Sequence, residues 1–200
     1  MEPLPELAHP RQIQDFLDGI EYSDDKFYRC PARVAVERKA NCVDGALFAA
    51  AALRRLGHRP RVLDLEAERD DDHVIAVFQI EGAWGAIAKS NVVPLRYREP
   101  VYRSLRELCM SFFDFYYNLD SEKALRSYTR PVDLSRYDRL AWETEDTAIE
   151  PVIVRALYEA RHLPLLTAPQ IARLSLVDPR LYEACLLGSK ASGLYQPAPR

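Results

Sequence analysis

Residues 39–57 read KANCVDGALFAAAALRRLG and contain the signals for the start, the body and the end of a helix. Asn41 suits the N-cap position, because its side-chain oxygen can accept a hydrogen bond from the free N–H groups of the first turn. Gly57 suits the left-handed conformation that ends many helices. Four apolar residues between them share one helical face: Leu47, Ala50, Leu53 and Leu56. The stretch therefore predicts a largely buried helix whose first turn holds Cys42.

The position of Cys42 at the start of this helix makes it a candidate nucleophile. The partial positive charge of a helix N-terminus stabilises a thiolate and so lowers the pKa of a thiol. A free cysteine is more often a small buried apolar residue, and inert packing is therefore the alternative. Cys30 lacks a helix-start context and Cys109 lies on an apolar helix face, so both are predicted to pack in the core.

The composition is that of an ordinary globular protein. The chain has 200 residues, of which 48% are hydrophobic and 28% charged, enough for one domain with a real core. A net charge of −3 gives no reason to expect nucleic acid, and no apolar run is long enough for a membrane. The four cysteines are scattered without a C-x-x-C pair, so we expect neither a metal nor a cofactor. The first ten residues lack the apolar centre of a signal peptide, which predicts a cytoplasmic protein.

Three predicted strands joined by short connections follow the helix, which indicates an antiparallel sheet. They cover residues 61–65, 73–80 and 83–88. Helical periodicity marks the second half at residues 104–118, 149–160, 168–174 and 181–187. We therefore expect an α+β fold, with a core over residues 1–118 and a mainly helical extension of the same domain over residues 119–200.

A cysteine nucleophile needs a base, and the chain has four histidines. His58 follows the helix at the end far from Cys42, and His9 and His162 lie in other parts of the chain. His73 opens the strand over residues 73–80 and so lies at one end of the sheet. The sequence does not fix whether that end faces Cys42.

Several motifs between residues 30 and 92 occur in a characteristic order. They are Cys-x-Asp-Gly-Ala-Leu from Cys42, a helix ending in Arg-Leu-Gly-His-Arg-Pro, then Val-Leu-Asp-Leu, Asp-His-Val-Ile-Ala-Val-Phe and Gly-x-Trp-Gly-Ala-Ile. In this order they resemble the transglutaminase-like superfamily, in which a nucleophilic cysteine heads a helix and a histidine opens the second strand. The resemblance implies a papain-like core with Cys42 as nucleophile and His73 as general base.

The sequence departs from the family pattern at the third catalytic position. The family has an aspartate at the end of the third strand, where this chain has Ala88-Lys89-Ser90-Asn91. A two-residue turn at 81–82 would place Ser90 opposite His73, and a three-residue turn would place Asn91 there. We prefer Asn91, because an asparagine can orient an imidazole by accepting its N–H, as in Cys-His-Asn proteases.

These residues predict a cysteine hydrolase or acyltransferase that acts on a peptide, amide or ester substrate through an acyl-enzyme. The predicted catalytic set is Cys42, His73 and Asn91. The alternative is a weakened or inactive fold of the same kind that binds a protein partner. We expect no cofactor, and neither nucleic acid nor a membrane as partner.

Overall fold

The computed structural model describes residues 4–196 and shows a mixed α/β architecture. The α-helices are α1 (Pro10–Asp18), α2 (Pro31–Glu37), α3 (Cys42–Arg55), α4 (Leu105–Met110), α5 (Arg155–Tyr158), α6 (Ala168–Ile171) and α7 (Pro179–Leu186). The strands are β1 (Glu21–Tyr22), β2 (Lys39–Ala40), β3 (Arg61–Ala67), β4 (His73–Ile80), β5 (Ala83–Ile87), β6 (Arg98–Tyr102), β7 (Leu125–Thr129), β8 (Val132–Asp133) and β9 (His162–Pro164). None of the helices within residues 4–196 combines the length and apolar character needed to cross a membrane.

A seven-stranded sheet forms the centre of the fold, and all its pairings are antiparallel. Its order is β6-β5-β4-β3-β7-β9, and β8 pairs with the start of β3. The predicted antiparallel sheet is confirmed. Strands β1 and β2 form a separate parallel pair just before α3.

Helix α3 packs across one face of the sheet and is buried on nearly all sides. Val74, Ala76 and Phe78 belong to the apolar cluster on the α3 side, together with residues of α1 and α2. Ile75 and Val77 belong to the cluster on the opposite face, which includes side chains of α4. This alternation follows from the two-residue period of a strand. The sequence predicted one apolar face for α3, but the helix is buried more completely than that. Its alanine-rich middle packs against neighbours all round.

The β4–β5 hairpin has a two-residue turn. Ile80 pairs with Ala83, and Glu81 and Gly82 between them have φ values of 50° and 83°. Two positive φ values are typical of the type I′ turn, whose twist matches that of the flanking strands. Of the two registers considered, this is the one that would place Ser90, and not Asn91, opposite His73.

The C-terminal half supplies strands as well as helices. The helical segments are short, and β7 lies inside the sheet beside β3 while β9 extends it. The predicted helix over residues 104–118 ends as α4 at Met110, and the hydroxyl of Ser111 just after it donates to the carbonyl of Leu108 at 2.6 Å. Residues 125–164 therefore complete the sheet of the core rather than only extending it with helices.

Candidate active site

A cleft of about 290 Å³ opens where α3 begins and β4 starts, and both Cys42 and His73 line it. The N-terminus of α3 and the first residue of β4 lie at the same end of the sheet, which the sequence did not fix. Ser90 and Asn91 also line this cleft. The structure thus brings all the predicted site residues to one place. Trp84, which pairs with Gln79 near the hairpin turn, is not among the lining residues.

Cys42 is held at the first position of α3 by a complete capping box. The side chain of Asn41 accepts a hydrogen bond from the backbone N–H of Asp44 at 2.9 Å, and Asp44 accepts one from the N–H of Asn41 at 3.2 Å. The Sγ atom of Cys42 lies 3.9 Å from the carbonyl oxygen of Asp72, the residue before His73. The half-buried thiol therefore faces the chain that enters β4.

Asp44 also ties the loop before α3 to the helix. Its buried carboxylate accepts from the backbone N–H of Arg29 at 2.7 Å, and the Arg29 guanidinium lies 3.6 Å from it. Arg29 is itself buried and donates to Glu37 at 2.6 Å and to Ser23 at 3.0 Å. No structural role was predicted for Asp44 or Arg29. An aspartate at the third position of a helix after an asparagine cap is nevertheless a known capping signal.

The imidazole of His73 has a defined tautomer. Its Nε2 atom lies 2.8 Å from the backbone carbonyl of Leu95, and a carbonyl can only accept. Nε2 therefore bears the proton, and Nδ1 is the unprotonated, basic nitrogen of the neutral ring. The ring stands edge-on to Tyr116 with 6.5 Å between centroids. Burial lowers the pKa of His73 to about 4, against the opposing effect of the Leu95 carbonyl.

The residues expected to orient His73 make other contacts. The Asn91 side chain donates to the carbonyl of Lys190 and accepts from its N–H, both at 2.8 Å. The hydroxyl of Ser90 accepts from the N–H of Val92 at 3.0 Å. Within residues 4–196, neither side chain is hydrogen-bonded to His73, whose Nε2 partner is a backbone carbonyl. The Leu95 carbonyl could not be predicted as the partner of Nε2 from the sequence, because every residue has a backbone carbonyl.

The thiol of Cys42 is neutral at physiological pH. Burial raises its pKa to about 12, and the nearby carboxylates of Asp64, Asp44 and Asp71 raise it too, while a hydrogen bond from the N–H of Val74 acts in the opposite direction. The expectation that the helix N-terminus lowers this pKa is wrong. The helix end contributes only about half a positive charge, which loss of water and several carboxylates outweigh.

Four aspartates give the cleft its chemical character: Asp64, Asp70, Asp71 and Asp72. Asp64 lies on β3, is 1% exposed, and neither of its carboxylate oxygens has a hydrogen-bond partner within residues 4–196. Burial raises the pKa of Asp64 to about 7, and that of Asp70 to about 7 as well. Neither Asp64 nor residues 70–72 were predicted to belong to the site. The signal was available, because Asp64 shares the core-facing side of its strand with Val62.

Aromatic side chains and the C-terminal segment complete the cleft. Five tyrosines line it: Tyr22, Tyr28, Tyr116, Tyr158 and Tyr195. Tyr195 belongs to a segment that crosses the cleft after Lys190, and Gly193 in this segment also lines it. A Cβ at Gly193 would stand 2.7 Å from the Tyr22 ring, so only glycine allows this close approach.

No protein-family model matches this chain, and no curated protein matches it either. The likeness to the transglutaminase-like superfamily therefore rests on the motifs of residues 30–92.

Proposed function

We propose that the chain is a cysteine hydrolase or acyltransferase of transglutaminase-like type, with Cys42 as nucleophile and His73 as general base. One observation supports this proposal above the others. Cys42 begins a buried helix and lines the same cleft as His73, whose Nε2–H is held by Leu95 so that Nδ1 is free to accept a proton. A cysteine–imidazole pair needs such a basic nitrogen to accept the proton of the thiol.

The proposed reaction starts from a neutral thiol and a neutral imidazole. As Sγ of Cys42 bonds to the carbonyl carbon of an amide or ester, the thiol proton passes to Nδ1 of His73. The imidazolium then gives this proton to the leaving amine or alcohol, and a thioester forms. Water or an amine attacks the thioester, loses a proton to His73 and frees the thiol. The N–H groups of Cys42 and Val43, at the start of α3, would stabilise the oxyanion.

The Leu95 carbonyl takes the place that the family gives to an aspartate side chain in this proposal. A carbonyl orients the ring and fixes its tautomer, but it stabilises an imidazolium less than a carboxylate does. We therefore expect slow catalysis compared with an enzyme that has the complete triad.

A second candidate function is a binding module on the same fold. The raised pKa of Cys42 and the lowered pKa of His73 favour it, because both shifts oppose a thiolate–imidazolium pair. The C-terminal segment over the cleft would then be part of a surface for a protein partner.

Acylation by an activated ester tests the choice. The protein is incubated with p-nitrophenyl acetate, and acetylation is located by peptide mass spectrometry. We expect an acetyl group on Cys42 that hydroxylamine removes, and a rate at least tenfold lower in the His73→Gln variant. The Cys42→Ser variant controls for acetylation elsewhere. No adduct on Cys42 of the folded protein, or an adduct that forms equally fast without His73, would favour the binding module.

A further inference from the structure

The carboxylate of Asp64 is a buried acidic group without a partner. It is 1% exposed, it lines the cleft beside Cys42, and both oxygens lack hydrogen bonds within residues 4–196. Buried polar groups nearly always have partners, because an unpaired one costs several times the free energy of an ordinary hydrogen bond. The backbone of Asp64 is well held, with its N–H donating to the hydroxyl of Thr129 at 2.9 Å. Its backbone is therefore held in place, and within residues 4–196 its two carboxylate oxygens have unused capacity to accept hydrogen bonds.

The cleft around Asp64 has no positive side chain to balance it. Asp70, Asp71 and Asp72 line the same space, and no lysine or arginine does among the residues that the structure describes. Burial raises the pKa of Asp71 and of Asp72, while Lys26 lowers the first and His162 lowers the second, and neither of these basic groups lines the cleft. A concave surface with charges of one sign concentrates counter-charges, so the cleft attracts cations.

The aromatic rings of the cleft suit a flat cation. Tyr116 and Tyr158 both line it; burial raises the pKa of both hydroxyls, and the charge of Asp64 raises them further. Tyrosine faces attract cations, and guanidinium groups also stack on them. An ion at this place would thus meet a carboxylate and at least one ring.

The pair of free oxygens on Asp64 selects among cations. A guanidinium can donate two parallel hydrogen bonds to the two oxygens of one carboxylate, whereas an ammonium is a compact, strongly hydrated point charge. A metal ion is a poorer fit, since within residues 4–196 no three His, Cys, Asp or Glu side chains converge as ligands would. We propose that the cleft binds a guanidinium group, paired with the carboxylate of Asp64.

The ligand class follows from this site. An arginine side chain or a small guanidine compound fits a cavity of about 290 Å³ that Cys42 also lines. If the guanidinium belongs to a substrate and positions the carbonyl of that substrate near Sγ of Cys42, the inference rests on the proposed function. As a statement about binding it stands alone.

Three small probes of similar shape test the site by isothermal titration calorimetry. They are methylguanidinium, the neutral isostere N-methylurea, and methylammonium. We expect methylguanidinium to bind at least tenfold more tightly than either of the others, at concentrations well below those that unfold proteins. Equal binding of N-methylurea would show that the positive charge is not needed for binding. Tighter binding of methylammonium would show that the planar guanidinium shape is not needed.

The Asp64→Asn variant locates the site, because it keeps the shape and removes the charge. We expect it to lose at least tenfold in affinity for methylguanidinium. The matched control is Asp15→Asn, which makes the same change in net charge on an exposed face of α1. Unchanged affinity in Asp64→Asn, or an equal loss in Asp15→Asn, would overturn the assignment. The comparison of the three probes on the wild-type protein needs no variant and tests the proposal even if Asp64→Asn folds poorly.

The two proposals fail in distinguishable ways. If Cys42 is acetylated with the help of His73 but methylguanidinium does not bind, the guanidinium site is wrong and the enzyme remains. If methylguanidinium binds through Asp64 but no thioester forms, the cleft is a binding site for guanidinium groups and the catalytic proposal is wrong.

Discussion

The imidazole Nε2–H of His73 donates to the backbone carbonyl of Leu95 across 2.8 Å. Because this hydrogen bond fixes the proton on Nε2, we predict that His73 is the Nε2–H tautomer. Burial lowers the pKa of His73 to about 4, so the ring stays neutral down to about pH 5. Long-range ¹H–¹⁵N NMR spectra of the four histidines check both statements. A protonated Nδ1, or a titration near 6.5, would contradict them.

The reactivity of Cys42 toward iodoacetamide follows from its surroundings. With a pKa of about 12, it is almost wholly a thiol at pH 8.5, where a free cysteine is about half thiolate. We predict alkylation of Cys42 more than 100-fold slower than that of glutathione, with a rate that still rises above pH 10. Mass spectrometry of the alkylated peptide gives this rate.

The nearby carboxylate of Asp64 supplies the internal control for this measurement. Asp64 raises the pKa of Cys42, so Asp64→Asn should increase the alkylation rate at pH 9 several-fold, and Asp15→Asn should leave it unchanged. A wild-type Cys42 that reacts faster than glutathione would restore the original expectation that the helix N-terminus controls the thiol.

The contacts of Asn91 in the structure differ from the role that the sequence predicted for it. As the partner of His73 it would be needed for acylation, but in the structure it holds the backbone of Lys190 through two hydrogen bonds of 2.8 Å. We predict that Asn91→Ala changes the acetylation rate of Cys42 by less than about threefold, since the Leu95 carbonyl orients the imidazole.

The same substitution should loosen the C-terminal segment. Loss of two hydrogen bonds worth about 1 kcal/mol each should speed amide exchange of residues 190–195 by about thirtyfold. Hydrogen–deuterium exchange mass spectrometry measures this rate. Ser90→Ala is the matched control, because the hydroxyl of Ser90 accepts from the N–H of Val92 and, within residues 4–196, does not contact the C-terminal segment through a hydrogen bond. A large loss of acetylation with unchanged exchange would return Asn91 to the catalytic set.

The parts of the fold that the sequence predicted are those set by local signals. The N-cap at Asn41 fixed the start of α3, and the turn residues Glu81 and Gly82 marked the hairpin. The strand β7 was missed because Leu125–Thr129 is short and partly polar, and becomes a strand only by pairing with β3. Pairing between distant segments is decided by tertiary packing and leaves a weak trace in the local sequence.

The side chains of the candidate site could be predicted from the sequence, but their pKa values could not. Cys42 and His73 could be named from motif and order, and both line the cleft. The pKa values depend on burial and on charges from other strands, of which Asp64 is the example. Lys89 shows the same limit: although a lysine side chain is usually exposed, it is buried and donates to the carbonyls of Leu17 and Ile20, both at 2.7 Å.

Gly45 provides a test of how closely α3 packs on the strand that leads to the cleft. A Cβ at this position would stand 2.3 Å from the Cβ of Lys89, which the buried backbone there does not allow. Alanine has a helix propensity about 1 kcal/mol better than that of glycine, so without this contact Gly45→Ala would stabilise α3. We predict instead a net loss of about 1–3 kcal/mol in the free energy of unfolding.

Gly19→Ala is the control for the Gly45 prediction, because a Cβ at Gly19 meets its nearest atom at an ordinary 3.5 Å. We expect this control to change stability by less than 1 kcal/mol. Urea denaturation followed by circular dichroism measures both variants. Equal stability of the two variants would mean that α3 can shift away from Lys89 without cost.

The pH dependence of stability tests the unpaired carboxylate of Asp64 independently of any ligand. Its pKa is about 7 in the folded protein and 3.8 in an unfolded chain, so the folded state binds more protons between these pH values. Stability therefore falls as pH rises from 4 to 7 and is constant with respect to this group above that range. At about 1.4 kcal/mol per pKa unit, the effect between pH 4.5 and 8 is about 3 kcal/mol. Asp64→Asn removes it, so the variant should gain stability relative to the wild type across this interval, as measured by urea denaturation at both pH values. A constant difference between the two proteins would mean that Asp64 has a partner, or water, that lets it ionise in the fold.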